Sequence, residues 1–160
     1  MKFSFFIGLL IFPLALIAYG KNMQAFDKAA FYVALSSESV DVINKQLLAV
    51  KSSSVAEKEA YEGALLMKKA GVISGTAREK LNLFKSGRSK LEYAISKDNS
   101  NTEYRFLRLI IQEHAPKIVK YRSEIEPDSQ IVRTNFKNLP QYLQQVITDY
   151  SKTSKVLKIG

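Results

Sequence analysis

One histidine, no cysteine and 15 Asp and Glu set against 24 Lys and Arg are the groups with which this 160-residue chain could do chemistry. His114 lies in Gln112-Glu113-His114-Ala115-Pro116. As a general base it would need a hydroxyl on one side and a carboxylate on the other. A single histidine meets that minimum, but no nucleophile elbow or Gly-rich oxyanion loop accompanies it. At a helix C-terminus the same residue is favourable through the helix dipole alone. The absence of cysteine removes thiol catalysis and thiolate-ligated zinc, and with one histidine a zinc site would need three or more carboxylates. Glu124, Glu126 and Asp128 form the densest acidic cluster. They lack the spacing of a calcium loop and fall where a helix N-terminus would stabilise negative charge. Glu57, Glu59 and Glu62, among Lys58, Lys68 and Lys69, read as a solvated, partly paired helix face. No catalytic set, metal site or cofactor is therefore expected.

The basic surplus is the other chemical feature. Arg78, Lys80, Lys85, Arg88, Lys90 and Lys97 crowd residues 77–97, and Arg78, Lys85, Arg88 and Lys90 are the candidate basic surface. Arg105, Arg108 and Gln112, at i, i+3 and i+7, form the most coherent polar strip and the candidate binding strip, lining a concave face or facing water. Nucleic acid is not an expected partner, because neither a helix-turn-helix signature nor an aromatic stacking platform is present. Two readings remain for the charge: a patch for an anionic lipid or polysaccharide, or a scattered excess that keeps the domain soluble.

These residues are positioned by helices. Ser54-Val-Ala-Glu57, Thr76-Ala-Arg-Glu79 and Ser100-Asn-Thr-Glu103 fit the capping box, in which a hydroxyl and a glutamate satisfy each other's backbone N–H groups. Gly71, Gly75 and Lys97-Asp-Asn-Ser supply stop signals, and Pro127 and Pro140 suit first helical positions. Helices are expected at 22–35, 38–51, 55–72, 77–97, 101–119, 127–138 and 140–157. No Asn-Gly or Asp-Gly turn lies between alternating apolar runs, so no hairpin of strands is expected. The fold class is all-α, a stack of antiparallel helical hairpins in an irregular solenoid or bundle. Ala56, Ala60, Ala64, Met67 and Gly71 make a small-residue stripe for close helix approach. Gly87, inside a helix, costs about 1 kcal/mol relative to Ala and implies a packing reason or a kink.

Ahead of these helices, Met1-Lys2 gives a basic start and Phe3 to Tyr19 runs without a charge. Ala18 and Gly20 stand at the −3 and −1 positions of a signal-peptidase site, so residues 1–20 are expected to be an export signal cut after Gly20. The alternative is a retained anchor, the only expected membrane contact, at the lower length limit of a spanning helix. Removing residues 1–20 takes away one basic and no acidic residue, leaving +8 on a single domain at 21–160. That length buries enough surface for a core without disulfides.

Gly87, Leu91, Ala94 and Asn99 fall at the spacing of the second-helix signature of a tetratricopeptide repeat, which the stretch Leu91-Glu-Tyr-Ala-Ile-Ser-Lys-Asp-Asn-Ser-Asn101 resembles. Asn99 stands in place of that motif's proline, and no 34-residue period recurs. The stretches Tyr104-Arg-Phe-Leu-Arg-Leu-Ile-Ile-Gln112 and Ala115-Pro-Lys-Ile-Val-Lys-Tyr121 resemble small exported helical proteins of Bacteroidota. The first resemblance implies stacked hairpins that bind another protein on a concave surface; the second implies export and a helical fold. Together they give the expectation of an exported, non-catalytic protein-binding module in the periplasm or outside the cell. An envelope protein that binds anionic lipid or polysaccharide, and a small hydrolase built on His114, are the alternatives.

Overall fold

The computed structural model describes residues 26–159, so the expected export signal lies outside the described residues, as does the start of the helix expected over 22–35. Seven α-helices follow: α1 Lys28–Ser36, α2 Val40–Ser52, α3 Lys58–Val72, α4 Ala77–Lys97, α5 Thr102–His114, α6 Ile125–Asn135 and α7 Gln141–Ser151. Two 3-10 turns, Lys117–Val119 and Phe136–Asn138, complete the regular structure. Among the described residues there is no strand, and no helix is long and apolar enough to cross a membrane.

The helix ends have local causes. Asp27 and Ser39 cap α1 and α2 by accepting from the N–H groups of Ala30 and Val42. The expected capping box at Thr76–Glu79 forms in full and starts α4. The other two boxes do not form. α3 begins at Lys58 without a side-chain cap, and α5 is capped by Asn101, which accepts from the Tyr104 N–H at 3.2 Å. Glu57 and Glu103 instead turn toward Lys28. The helix expected over 101–119 stops at His114. Ala115 precedes Pro116, and the proline ring disfavours helical backbone before it; Ala115 has ψ 134°. Lys120 then takes left-handed backbone, φ 48°, and turns the chain toward α6. Pro127 is the third residue of α6 rather than its first, tolerated because first-turn N–H groups lack intrahelical partners. α7 ends at Ser151, not 157; the non-helical tail still buries Leu157 completely.

α3 with α4, and α5 with α6, pack antiparallel. Across α3 and α4, Glu59 meets Lys90 and Gly63 meets Gly87. Across α5 and α6, Thr102 meets Asn135 and Arg108 meets Asp128. The Gly63–Gly87 crossing explains the helix-interior glycine noted in the sequence. A Cβ on Gly87 would fall 2.5 Å from the Gly63 carbonyl oxygen and 2.9 Å from the Met67 nitrogen. A Cβ on Gly63 would fall 2.7 Å from both the Gly87 oxygen and the Leu91 nitrogen. Both neighbours are backbone and cannot swing aside, so the two helices touch main chain to main chain. Around this seam one core runs through all seven helices. Its aromatic centre is Phe31, Tyr61 and Phe106, all fully buried, with the Phe31 and Tyr61 rings 4.3 Å apart.

Candidate functional site

The strip Arg105–Arg108–Gln112 neither lines an open face nor faces water; it is the seam between α5 and α6. Arg108 donates from Nε to Asp128 Oδ2 at 2.7 Å and from Nη2 to Asp128 Oδ1 at 2.9 Å, a two-pronged fork. Its Nη1 donates to Glu92 Oε2 at 2.9 Å, and Glu124 Oε2 stands 3.7 Å from Nη2. Arg105 Nη1 reaches Asp128 Oδ1 at 3.4 Å. Gln112 is fully buried and accepts from the Glu124 N–H at 3.1 Å. Asp128 has no exposed surface, so the acidic cluster does more than line a helix start: one member is the buried counter-ion of Arg108. Burial opposes charge on both partners. For Arg108 the Asp128 hydrogen bonds together with the Asp128 and Glu92 charges outweigh it and hold the guanidinium above its usual range, while for Asp128 burial prevails and lifts its carboxyl above the ordinary value. A strip of polar residues at helical spacing read as a wet surface because its partners lie 16 and 20 residues further along or back.

The candidate basic surface divides. Lys90 is turned into the α3–α4 seam, where Glu59 and Glu62 take it at 2.8 and 3.2 Å. Glu62 is buried, so the acidic side of α3 is not a solvated face. The Arg88 guanidinium lies 4.6 Å from the Tyr121 ring centroid. Arg78 and Lys85, seven residues apart, share the exposed side of α4. They are two charges on a 21-residue helix, not a continuous patch.

Sequence reading missed a buried carboxylate centre. Glu103 accepts from the hydroxyls of Tyr32 at 2.9 Å and Tyr61 at 2.8 Å through Oε1, and from Tyr142 at 3.2 Å through Oε2. Lys28 bridges Glu103 at 3.3 Å, Glu57 at 2.9 Å and the Tyr142 oxygen at 2.9 Å. Four helices, α1, α3, α5 and α7, are thereby tied to one side chain. Burial, with the Glu103 charge beside them, pushes the Tyr32 and Tyr61 hydroxyls well above the usual tyrosine range. Burial opposes the Lys28 charge, but its hydrogen bonds outweigh that and its ammonium is held above the usual lysine range. The geometry of the cluster ties four helices together through Glu103 and Lys28. Among the described residues no group of three or more His, Asp or Glu is placed to hold a metal ion.

His114 is exposed at the end of α5, and its Nδ1 sits 2.8 Å from the Ile110 carbonyl oxygen, one turn back. Donating there leaves Nε2 as the free ring nitrogen. Beside it, Glu113 accepts from Tyr150 and Ser154 at 2.6 Å and from the Lys155 N–H at 2.9 Å, fastening the end of α7 to α5. Burial raises the Glu113 carboxyl, but these donors outweigh it and hold it below the ordinary glutamate value.

An apolar cleft with a cavity volume of about 1190 Å³ opens between α1, α3, α4, α5 and α7. It exists because α4, with 21 residues, outruns α5, with 13. At 1.5 Å per residue the difference is about 12 Å of helix. Ala77, Leu81 and Phe84, on the overhanging first part of α4, form one wall. Met67 of α3, Ile111 of α5 and Val146 of α7 face them. The Lys117–Val119 turn spans only part of the gap, and Phe84 meets Tyr121 edge-on at 5.8 Å behind it. At the rim three apolar side chains stay in water: Val33 is 63 %, Leu81 40 % and Ile118 87 % exposed. Gly71 also lines the cleft, and a Cβ there would meet nothing within 4 Å. No protein-family model, curated protein or solved structure matches this chain.

Proposed function

We propose that this chain is an exported, non-catalytic binding module that takes an apolar ligand into the cleft between α1, α3, α4, α5 and α7. The observation that carries the reading is the cleft itself. Apolar side chains left in water at the rim of a concave apolar surface are the usual mark of a site that something else covers. Its volume exceeds the range of about 300–1,000 Å³ usual for compact small-molecule pockets, which suits an extended apolar chain or the apolar face of a partner segment. A purely electrostatic mode through α4 has less support, since Lys90 is neutralised within the fold and Arg88 lies on Tyr121.

The test uses protein expressed from the full-length sequence and a neutral fluorescent probe, N-phenyl-1-naphthylamine. Wild-type protein is expected to bind it with enhanced emission. Gly71→Trp fills vacant space and gains helix propensity of up to about 1 kcal/mol, so it folds while occupying the cleft, and binding is expected to fall at least tenfold. A probe signal that Gly71→Trp leaves unchanged would show that the ligand sits elsewhere.

A further inference from the structure

The charges on the cleft rim narrow the ligand class, on the footing of the binding reading above. Five Asp, Glu, Lys or His side chains line the cleft: Glu38, Lys68, Lys80, His114 and Asp149. Glu38 and Lys68 pair with each other at 2.5 Å. Asp149 pairs with Lys152 at 2.6 Å, and His114 is engaged through Nδ1 with the Ile110 carbonyl. Lys80 makes no ion pair among the described residues. Its position is unusual for a lysine. Phe84, Gly87 and Leu91 follow it at i+4, i+7 and i+11, and all three are buried. Lys80 therefore stands on the core-facing stripe of α4, one turn beyond the last buried residue, where that stripe becomes the cleft wall. Its butyl stem can lie along apolar surface while the ammonium sits at the mouth. A monoanion with a long apolar tail complements both features at once: one uncompensated cation at the mouth, and an extended apolar surface below it.

We propose that the ligand is a free long-chain fatty acid, its alkyl chain between Met67, Phe84, Ile111 and Val146 and its carboxylate on Lys80. One lysine without an ion pair among the described residues matches one carboxylate, and the Glu38, Lys68 and Asp149 charges are already paired. The chain length that fills the cleft sets the affinity, because each methylene removed from water strengthens binding by up to about fourfold.

The experiment is displacement of N-phenyl-1-naphthylamine from wild-type protein and Lys80→Met by saturated fatty acids of 10 to 16 carbons and by hexadecanol. Lys80→Met keeps the apolar stem and lies on a partly exposed residue, so the fold is retained. Affinity is expected to rise with chain length and to level off when the cleft is full. Lys80→Met is expected to weaken palmitate about three- to tenfold and to leave hexadecanol within twofold. If the neutral probe binds but palmitate competes no better than hexadecanol, or loses nothing in Lys80→Met, the fatty-acid assignment falls while the binding reading stands. If neither probe nor palmitate binds, both fall. Displacement by phosphatidylglycerol vesicles but not by free palmitate would overturn the assignment in favour of a membrane surface. A concentration-dependent dimer that excludes the probe would overturn it in favour of a second copy.

Discussion

α5 has two faces, and their fates invert the usual expectation. The face bearing Arg105, Arg108 and Gln112 is polar, and α6 closes over it. The opposite face, with Ile110, Ile111 and His114, is largely apolar, and it looks into an open cleft. Burying Arg108 is tolerated because it is paired from across the seam: Asp128, Glu92 and Glu124 surround its guanidinium, whereas the buried Gln112 Nε2 finds no hydrogen-bond partner among the described residues. On that side Ile111 is buried and Ile110 packs against the core, so the apolar surface left in water lies at the cleft rim, on Val33, Leu81 and Ile118. The first arrangement is what a structural seam requires and the second is what a binding site requires. Polarity alone does not separate a surface from an interior; what separates them is whether another element supplies partners.

The most severe way to break the contrast is to remove the counter-ion. Asp128→Asn leaves Arg108 buried with only Glu92 and Glu124 near it, and taking one member from a buried pair costs about 3–5 kcal/mol. Because Glu92 still accepts from Arg108 Nη1 at 2.9 Å, about 3 kcal/mol is expected, read as the shift in urea midpoint at unchanged slope. Replacing both residues, Arg108→Met with Asp128→Leu, is expected to recover most of that loss, since an apolar pair of similar volume carries no desolvation cost. Should the double variant be as weak as the single one, the seam would depend on its charges rather than merely tolerate them.

The next effect sharpens the comparison from the frame that both faces share. Gly87→Ala adds a methyl group against main chain at 2.5 Å. Overpacking of that kind costs about 1–3 kcal/mol, and the gain of about 1 kcal/mol in helix propensity offsets part of it. A net loss of up to about 2 kcal/mol in chemical denaturation is expected, with the neutral probe bound less tightly because Met67 and Phe84, which flank the crossing, also line the cleft. An alanine that stabilises the protein would show that α3 and α4 do not touch at the backbone.

What was legible in the sequence follows the range of the interactions. α4 could be bounded from its own residues because Thr76 and Glu79 satisfy each other three residues apart. Gly87 was legible as a packing position, but its partner Gly63 lay outside the small-residue stripe read from 56, 60, 64, 67 and 71. Glu57 and Glu103 were misread as capping residues because Lys28, which claims both, is 29 and 75 residues away. The cleft was invisible for a related reason. It arises from the unequal lengths of α4 and α5, and the shorter one is cut by Pro116, inside the stretch expected to be helical over 101–119. One local signal was present throughout: a lysine at position 80 on the stripe continued by Phe84, Gly87 and Leu91.

The smallest effect concerns the fastening between α5 and α7, which holds Tyr150 and Thr153 at the cleft's edge. Glu113 is held below its ordinary value, so the folded state takes up its proton less readily than the unfolded chain. The stability it adds is present above the unfolded glutamate value of about 4.3 and disappears as pH falls through the lower folded value. Asp128, lifted above its ordinary value, acts in the opposite sense, so the wild-type curve alone mixes the two. The difference between wild type and Glu113→Gln isolates the fastening. Because Glu113 is partly exposed, solvent screening limits the difference to about 1 kcal/mol or less at pH 7. It is expected to shrink toward zero below about pH 4, measured by urea unfolding at stepped pH. A difference that stayed constant with pH would mean that Glu113 contributes through packing, and the edge of the cleft would then not loosen in acid.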